Sequence, residues 1–276
     1  NQDGYHKGKG WRILLAPVVG LFDLVLFRKV REAFGGSLEF FVGGGALLDS
    51  ELQRFFYAIG IPMFQGYGLS EATPVISTNS PKYHWHKFGS SGKILIPLDL
   101  KILDEEGREV PRGQKGEIVV RGENVMAGYW KNPGATAETV RDGWLHTGDM
   151  ATMDEDGTLY IRGRSKTMIL SGNGQNIYPE EIEDKLNNMY LVLESLVLEN
   201  NGRLHALVVP DSEQAESEGI DKSELPRIME NNLRELNGLL ASYERVASIA
   251  IYPTEFEKTP KRSIKRYLYD PSLLTS

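Results

Sequence analysis

The sequence predicts an α/β and α+β protein: an α/β sheet part with a small antiparallel β-barrel, followed by a small α+β C-terminal domain. Three observations carry this prediction. Residues 37–68 follow a strand–loop–helix–strand–loop order, the repeating unit of a sheet covered by helices. Short β-rich runs separated by Asp- and Gly-containing turns fill residues 93–162, as in antiparallel hairpins. Strand-like runs and helical segments then alternate to the end. We place the domain boundary between residues 1–163 and 164–276.

Composition limits the functional classes. Of the 276 residues, 41% are hydrophobic and 25% are charged, which is ordinary for a soluble globular protein and excludes a disordered chain. The net charge of −7 disfavours a broad nucleic-acid-binding surface, so we expect no nucleic-acid partner. The lack of cysteine removes disulfides, zinc–thiolate sites and cysteine nucleophiles together, and it mildly favours a cytoplasmic location.

An apolar stretch lies near the start, but it has no signal-peptide layout. Residues 13–27 are too short for a membrane span of ~20 residues, and Pro17, Gly20 and Asp23 interrupt them. We expect a packed helix; an interfacial or substrate-lining helix is the alternative. Because the chain opens without Met, we expect it to be a piece of a longer protein.

The first predicted unit is a strand at 38–42 that ends at three glycines. Asp49 or Ser50 then caps a helix, which Gly60 ends. Its apolar stripe is expected to face the core. A second strand is expected at 61–65, before the loop that contains Gly66 and Gly68. The stripe consists of Leu48, Leu52, Phe55, Phe56 and Ile59.

The middle of the chain predicts hairpin strands at 93–103, 116–121, 150–153 and 158–162. Further on, strands are expected at 167–170, 191–198, 204–209 and 246–251. A helix is expected from Pro179, which has acids in its first turn, and another at 223–239. We expect residues 211–222 to form a solvated loop.

Common phosphate and catalytic motifs are missing. Gly89-Ser90-Ser91-Gly92-Lys93 has the wrong spacing for a P-loop, and neither glycine pair in 43–68 is completed to Gly-x-Gly-x-x-Gly, which disfavours a Rossmann enzyme. The hydrolase elbow Gly-x-Ser-x-Gly is absent. His84 and His86 have no third ligand nearby in sequence, so they are expected to be ordinary surface or loop histidines.

Two polar, glycine-rich loops remain, at 43–48 and 65–73. Glycine lets a ligand approach the backbone closely. Tyr67 offers a flat face for a purine, Ser70 a hydroxyl, and Glu71 a hard oxygen suited to Mg²⁺. Loops at strand ends are where α/β proteins bind ligands. The alternative is a tight turn with a packed Tyr, and the residues alone leave both open.

Taken together, five segments resemble, in order, the motifs of the adenylate-forming superfamily, which includes acyl-CoA synthetases, adenylation domains of peptide synthetases and firefly luciferase. Within this superfamily, the sequence from Gln65 to Glu71 is most similar to that of long-chain fatty acyl-CoA synthetases. The five segments are Gly44-Gly45-Ala46, 65–73, 116–122 with Gly128-Tyr129-Trp130, Trp144-Leu145-His146-Thr147-Gly148-Asp149, and 160–166 with Ser171-Gly172.

The resemblance implies an ATP-dependent acid–CoA ligase that works through acyl-AMP, with ATP/AMP, Mg²⁺ and coenzyme A as cofactors or substrates and a fatty acid as the acid. Tyr67 would stack on adenine, Ser70 would contact phosphate, and Glu71 would hold Mg²⁺ and act in catalysis. Asp149 would bind the ribose hydroxyls, and Arg164 would add a ribose or phosphate contact. The base and acyl-phosphate region would be lined by Gly45, Ala46, Gln65, Gly66 and Gly68.

The resemblance also implies that residues 1–163 end the large adenylating domain and that 164–276 form a mobile domain. Lys166 would be the hinge, and Gly172 would let pantetheine pass the backbone. One departure concerns the family's adenylation lysine, because the alignment puts Ser263 at that position. Lys261 and Lys265 are the candidates to replace it, with a solvated basic tail as the alternative.

A second departure is that the family's phosphate loop is absent, so we expect a C-terminal fragment that is inactive alone. The competing hypotheses are an acyl-AMP ligase that loads a carrier protein and a non-catalytic nucleotide-binding module. We expect a cytoplasmic protein, and fatty-acid partitioning allows a peripheral association with the inner membrane face. The sequence defines neither the acyl-chain length nor the oligomeric state.

Overall fold

The computed structural model describes residues 20–46, 48–81, 86–172, 174–259, 263–271 and 273. Contacts divide the chain into two compact units, Asn1–Leu95 and Ile96–Ser276. The α/β and α+β fold class is confirmed: helices and sheets are mixed in the first unit, and an antiparallel sheet precedes an α+β portion in the second. None of the helices in these ranges has both the length and the apolarity that a membrane crossing requires.

The first unit carries strands β1 (Phe41–Gly43), β2 (Met63–Gly68), β3 (Val75–Thr78) and β4 (Gly92–Ile94). Strands β1 and β2 pair in parallel, and β3 and β4 continue antiparallel. Before them, a π-helical turn, Asp23–Phe27, runs into helix α1 (Arg28–Ala33). Helix α2 (Ser50–Ala58) connects β1 to β2, so the predicted strand–helix–strand order is confirmed.

Helix α2 begins as predicted but buries a different face. The Asp49 side chain accepts a hydrogen bond from the Leu52 amide at 2.6 Å, so Asp49 is the N-cap. The prediction that the whole apolar stripe faces the core is wrong for Leu52 and Phe55, which are 41% and 46% exposed. Gln53 is fully buried instead. A buried amide must be hydrogen-bonded. Gln53 Nε2 donates to the Leu48 carbonyl and to Gln65 Oε1, both at 3.2 Å, and Gln53 Oε1 accepts from the Gly89 amide at 3.1 Å.

The expected packed helix at residues 13–27 lies partly outside the described residues. Residues 20–27 are described and are helical, but the side chains of Leu21, Leu24 and Leu26 are more than half exposed in this chain. The expectation of tight packing is therefore wrong for residues 20–27.

The second unit opens with an antiparallel sheet in the order β9-β8-β6-β5, with the short strand β7 on β8. Helix α3 (Pro133–Thr139) precedes β7, and the Asn132 side chain caps it. The run predicted at 93–103 is interrupted around Pro97 and divides into β4 and β5. The strands are β5 (Asp99–Leu103), β6 (Gly116–Arg121), β7 (Val140–Arg141), β8 (Trp144–Met153) and β9 (Thr158–Arg164).

A second sheet of three strands follows, with β12 and β13 antiparallel and β13 and β14 parallel. A two-stranded hairpin, β10 (Ile169–Leu170) with β11 (Asn176–Ile177), precedes it. Helices α4 (Pro179–Asn187) and α6 (Leu225–Leu239) bury Ile182, Leu186 and Met229 in one apolar core with residues of the sheet. The three strands are β12 (Val192–Asn200), β13 (Arg203–Pro210) and β14 (Val246–Ile251).

The predicted solvated loop at 211–222 is wrong. Ser212–Glu218 form helix α5, whose N-cap Asp211 accepts from the Gln214 amide at 2.9 Å. Gly219 ends the helix at φ 71°, a left-handed conformation that glycine adopts without steric cost. Cap residues at both ends thus outweigh a polar composition, and Ala215 gives the helix a buried anchor.

A buried ion pair ties the last described segment to this sheet. Both Arg266 Nη1–Glu183 carboxylate distances are short, 2.7 and 2.8 Å. The Val197 amide donates to Glu183 Oε1 at 2.7 Å, and Arg266 Nη2 donates to the Val197 carbonyl at 2.8 Å. Burial raises the pKa of Glu183, and the charge of Arg266 opposes that rise.

Candidate active site

In the first unit, the loop after β1 is fastened to β2 through Gln65. The Gln65 amide nitrogen donates to the Ala46 carbonyl at 3.0 Å, and its oxygen accepts from Leu48 N at 3.3 Å and from Gln53 Nε2 at 3.2 Å. Gln65 is only 4% exposed, so its orientation is fixed on three sides. The structure therefore brings the predicted residues Ala46 and Gln65 together. Gly45, at φ 86°, allows the loop to turn between them and β1.

The second predicted loop continues β2 into a single 3₁₀ turn. Tyr67 and Gly68 end the strand, and Ser70 and Glu71 lie in the turn Ser70–Ala72, which is anchored by the fully buried Ala72. Only glycine fits at position 68, because an added Cβ would lie 1.7 Å from the Pro74 carbonyl oxygen. Gly66 is also close to backbone, with a Cβ position 3.2 Å from Ser77 O. The turn presents Ser70 at the surface.

In the second unit, two predicted ligands of the nucleotide form an ion pair. The register of strands β8 and β9 puts Asp149 directly opposite Arg164. The Arg164 Nε atom lies 3.0 Å from Asp149 Oδ1. The Asp149 side chain is 9% exposed and that of Arg164 is 69% exposed. The carboxylate is therefore nearly buried, while the guanidinium faces solvent.

The part of strand β8 that carries Asp149 is held by hydrogen bonds that sequence reasoning missed. Glu117 Oε1 accepts from the Gly148 amide at 2.9 Å, and Glu117 Oε2 lies 2.9 Å from His146 Nδ1. The Thr147 hydroxyl donates to the Ile118 carbonyl at 2.8 Å and accepts from the Asp149 amide at 3.1 Å. Gly148 itself is in the left-handed region at φ 69°. The Gly-Glu segment signalled the strand, but nothing in its spacing indicated a contact with Gly148.

The predicted hinge region lies at the end of β9. Lys166 is exposed within the 3₁₀ turn Ser165–Thr167. Nearby, Glu181 of helix α4 pairs with Lys115 at 3.1 Å and with Arg162 at 3.4 Å. Lys115 also lies over the Tyr178 ring, 4.6 Å from its centroid. Burial raises the pKa of the Tyr178 hydroxyl. These contacts connect the first sheet of this unit to helix α4 mainly through polar groups.

The predicted residues of the C-terminal end are only partly described. Gly172 is exposed at the tip of the β10–β11 hairpin. Lys265 Nζ pairs with Glu257 Oε2 at 3.1 Å, and this hydrogen bond raises the pKa of the lysine. Ser263 is exposed, with its amide donating to Thr259 Oγ1 at 3.3 Å. Lys261 and His84 lie outside the described residues.

Among the residues with described positions, no group of three or more His, Asp or Glu side chains is arranged to hold a metal ion. Glu71 is a single carboxylate on a short turn. This fits Mg²⁺ only where a substrate provides further oxygens, since Mg²⁺ in nucleotide sites takes one or two carboxylates and completes its shell with phosphates and water. Glu71 is therefore compatible with a metal bound together with a nucleotide.

Two family models match the chain. Residues 14–130 match the AMP-binding enzyme domain, and residues 166–269 match the AMP-binding enzyme C-terminal domain. The two matches are consecutive and leave residues 131–165 between them.

Curated relatives and solved structures agree with these matches. A 2-succinylbenzoate–CoA ligase of Bacillus cytotoxicus is 42% identical over 190 residues, which cover 69% of this chain and 39% of the relative. A long-chain-fatty-acid–CoA ligase of Mycobacterium bovis is 31% identical over 274 residues, or 92% of this chain and 44% of that protein. The O-succinylbenzoate coenzyme A synthetase of Bacillus subtilis, in complex with ATP and magnesium, superposes with a TM-score of 0.68 at 30% identity, covering 83% of this chain and 45% of that one. The chain thus spans less than half the length of each.

Proposed function

We propose that this chain is part of an ATP-dependent acid–CoA ligase, because residues 14–130 match the AMP-binding enzyme family and residues 166–269 match its C-terminal domain. In the first half-reaction, an acid carboxylate attacks the α-phosphate of ATP and releases pyrophosphate, giving acyl-AMP. In the second, the thiol sulfur of CoA attacks the acyl carbonyl, AMP leaves and the thiol proton passes to solvent. Such chemistry depends mainly on positioning and on neutralising negative charge.

The paired Asp149 and Arg164 are the observation that carries this proposal. A carboxylate has two acceptor oxygens and suits the two neighbouring hydroxyls of a ribose. The Asp149 backbone is held by strand pairing and by the Thr147 hydroxyl, and the neighbouring Gly148 amide is held by Glu117, so the position of the residue that carries the carboxylate is well defined. Arg164 accounts for one oxygen at 3.0 Å and has further N–H groups for the sugar or a phosphate.

The first unit supplies the remaining nucleotide contacts in our proposal. Tyr67 stacks on the adenine ring, Ser70 contacts a phosphate, and Glu71 binds Mg²⁺. When bound, Mg²⁺ would neutralise charge on the phosphates. The base and acyl-phosphate region is lined by Gly45, Ala46, Gln65, Gly66 and Gly68. The fixed orientation of the Gln65 side chain supports its assignment to that lining.

For the C-terminal part we propose a mobile domain at 164–276, with Lys166 at the hinge and Gly172 beside the pantetheine arm. The polar character of the contacts around Glu181 supports mobility, because interfaces of this kind separate more readily than apolar ones. Lys261 and Lys265 are the proposed cations near the reacting phosphate. To act there, Lys265 must exchange its partner Glu257 for the nucleotide.

We propose long-chain fatty acids as the acid substrate. The support is the similarity over 92% of this chain to a long-chain-fatty-acid–CoA ligase. The similarity to a 2-succinylbenzoate–CoA ligase supports an aromatic acid as the competing substrate. Pyrophosphate release by the full-length protein with palmitate, 2-succinylbenzoate and ferulate separates these substrate classes. Higher turnover with either aromatic acid than with palmitate contradicts the long-chain assignment.

The test of the site is Asp149→Ala in the full-length protein. We expect AMP affinity and ATP-dependent pyrophosphate release to fall by at least about 100-fold, the equivalent of losing two hydrogen bonds to a charged group. Asp99→Ala is the matched control, because Asp99 is an exposed carboxylate on a strand of the same sheet, paired with Arg121 at 2.9 Å. Equal AMP affinity in the two variants contradicts the assignment of Asp149. We also expect the 276-residue chain alone to release no pyrophosphate.

A second candidate function is supported by Ser263. In this candidate, serine replaces the adenylation lysine, and the protein keeps its nucleotide site as a binding module without turnover. A non-hydrolysable acyl-AMP analogue that binds to a full-length protein with no detectable turnover supports this candidate. Thioester formation on an acyl carrier protein, but not on CoA, supports the carrier-loading alternative.

A further inference from the structure

Strand β8 has a β-bulge in the stretch that carries the proposed ribose-binding carboxylate. The register with β6 pairs His146 with Val119 and Met150 with Glu117. Three residues of β8, 147–149, therefore lie opposite a single residue of β6. Bulges bend a strand and change the direction of its side chains, and they are frequent beside active sites. The groups that hold this bulge in shape therefore decide where the carboxylate lies.

Side chains satisfy the amides of the bulge. Within the described residues, Thr147 and Gly148 are not in register with a residue of β6 or β9. The Gly148 amide donates to Glu117 Oε1 at 2.9 Å, and the Asp149 amide donates to the Thr147 hydroxyl oxygen at 3.1 Å. Backbone amides away from water are nearly always paired. Glu117 thus supplies from its side chain the acceptor that a regular strand supplies from its backbone.

A second contact orients the carboxylate of Glu117. His146 Nδ1 lies 2.9 Å from Glu117 Oε2. An ionised carboxylate can only accept, so the shared proton is on His146 Nδ1, which donates it. The two side chains are 20% and 27% exposed, so water competes with this contact only in part. One carboxylate therefore bridges the two residues on either side of Thr147.

The charge of Glu117 argues against a direct contact with the nucleotide. Both the carboxylate and the phosphates of ATP are negative, so their direct interaction is repulsive. If charge were the whole effect of Glu117, its removal would strengthen nucleotide binding. If Glu117 acts as the acceptor for the Gly148 amide, its removal loosens the bulge and weakens nucleotide binding. The two explanations predict changes of opposite sign.

We propose that Glu117 is a positioning residue, which shapes the bulge through the Gly148 amide and thereby fixes the Asp149 carboxylate where it meets the ribose. The ribose as the partner of Asp149 rests on the proposed function; the hold of Glu117 on the bulge does not. The ribose hydroxyls take no part in bond making or breaking. Glu117 therefore affects nucleotide affinity, and so KM, more than the rate of the chemical step.

The test compares three replacements of Glu117 in the full-length protein. Glu117→Ala removes both acceptor oxygens, and Glu117→Asp keeps the charge but is one methylene too short. Glu117→Gln keeps an oxygen for the Gly148 amide and an N–H group for His146. We expect Glu117→Ala and Glu117→Asp to bind AMP at least about tenfold more weakly, and Glu117→Gln to stay within about threefold of the parent. The KM for ATP should change in parallel, with kcat for pyrophosphate release retained.

The matched control is Glu123→Ala, which removes an exposed glutamate just beyond the end of β6 and should leave AMP affinity unchanged. Equal urea midpoints show that each variant is folded. If Glu117→Ala does not fold, the comparison of Glu117→Asp with Glu117→Gln decides, because only the second keeps an acceptor within reach of the Gly148 amide.

Two further measurements distinguish positioning from a general structural role. Because Glu117 acts through Asp149, we expect Glu117→Ala/Asp149→Ala to bind AMP within about twofold of Asp149→Ala alone. Hydrogen exchange, followed by mass spectrometry on peptides that cover 146–149, should be faster in Glu117→Ala and unchanged in Glu117→Gln. This exchange is measured without nucleotide, so it does not depend on the proposed function.

The proposal is overturned if Glu117→Ala binds AMP as well as the parent or better, if Glu117→Gln loses as much affinity as Glu117→Ala, or if the losses in the double variant add. If Asp149→Ala weakens AMP binding and Glu117→Ala does not, the proposed function stands and the positioning role fails. If exchange at 146–149 responds to Glu117 as expected but Asp149→Ala binds AMP normally, the hold on the bulge stands and the proposed nucleotide site fails.

Discussion

Replacing Arg266 by Met should destabilise the second unit by about 3–5 kcal/mol, because it leaves the Glu183 carboxylate buried without its partner. The Glu183 side chain is 10% exposed and that of Arg266 is 22% exposed, so water cannot readily replace the lost charge. The variant also removes the donor to the Val197 carbonyl. The Met side chain fills part of the volume, so a cavity adds little to this figure.

The pH dependence of this effect has a definite sign. Burial already raises the pKa of Glu183, and without Arg266 the pKa rises further. A carboxyl group whose pKa is raised by folding contributes stability at low pH and loses it as the pH rises through the folded-state value. The destabilisation by Arg266→Met should therefore be smaller at about pH 5 than at about pH 8.

Urea unfolding followed by circular dichroism measures the change. Arg234→Met is the control, since Arg234 is 69% exposed and pairs only with Glu230 one helical turn away; we expect a loss below about 0.5 kcal/mol. Glu183→Gln keeps an oxygen for the Val197 amide and tests whether the charge itself matters. A free energy of unfolding for Arg266→Met within about 0.5 kcal/mol of the parent at about pH 8 would refute this reasoning.

Three further outcomes are expected. Gly68→Ala should destabilise the first unit by about 3 kcal/mol or prevent its folding, because the new Cβ would lie 1.7 Å from Pro74 O. Gly238→Ala is the control: its new Cβ would lie in open space, so the variant should be neutral or stabilising in the same urea assay. Asp211→Ala should cost about 1 kcal/mol through loss of the α5 cap, and an unchanged urea midpoint would contradict the capping role. Because burial raises the pKa of Tyr178, the free energy of unfolding should fall as the pH rises above 10.0. Tyr178→Phe should make that fall shallower when unfolding is measured across alkaline pH. An equally steep fall in the variant would mean that other groups dominate.

Sequence reasoning predicted the elements whose signals are local. Asp49 was identified as a cap candidate for α2, and Pro179 as the start of α4, because caps and first-turn prolines act within one turn. The buried Gln53 was not predictable, since its burial depends on Gln65 of strand β2 and on the Gly89 amide, which lie 12 and 36 positions away in the sequence. The helix at Ser212–Glu218 was missed because composition was given more weight than Asp211 and Gly219 at its two ends.

The candidate site shows the same division. The pairing of Asp149 with Arg164 follows from strand register, which a one-dimensional pattern does not specify, although the motifs pointed to each residue separately. Glu117 holds Gly148 across a strand pair; segment 116–122 was recognised as a motif, but nothing in it indicated this contact.

The contacts of Val197 have a consequence for self-association. Among the strands of the described residues, β12 is at the border of its sheet and pairs with β13 on one side. A border strand offers unpaired amides and carbonyls onto which a strand of another molecule can add. At the middle of β12, the side chains of Glu183 and Arg266 use both backbone groups of Val197 and so block such an addition. Loss of either side chain would leave a backbone group of Val197 free to pair with a strand of another molecule. At high protein concentration we would then expect oligomers or fibrils before unfolded monomer.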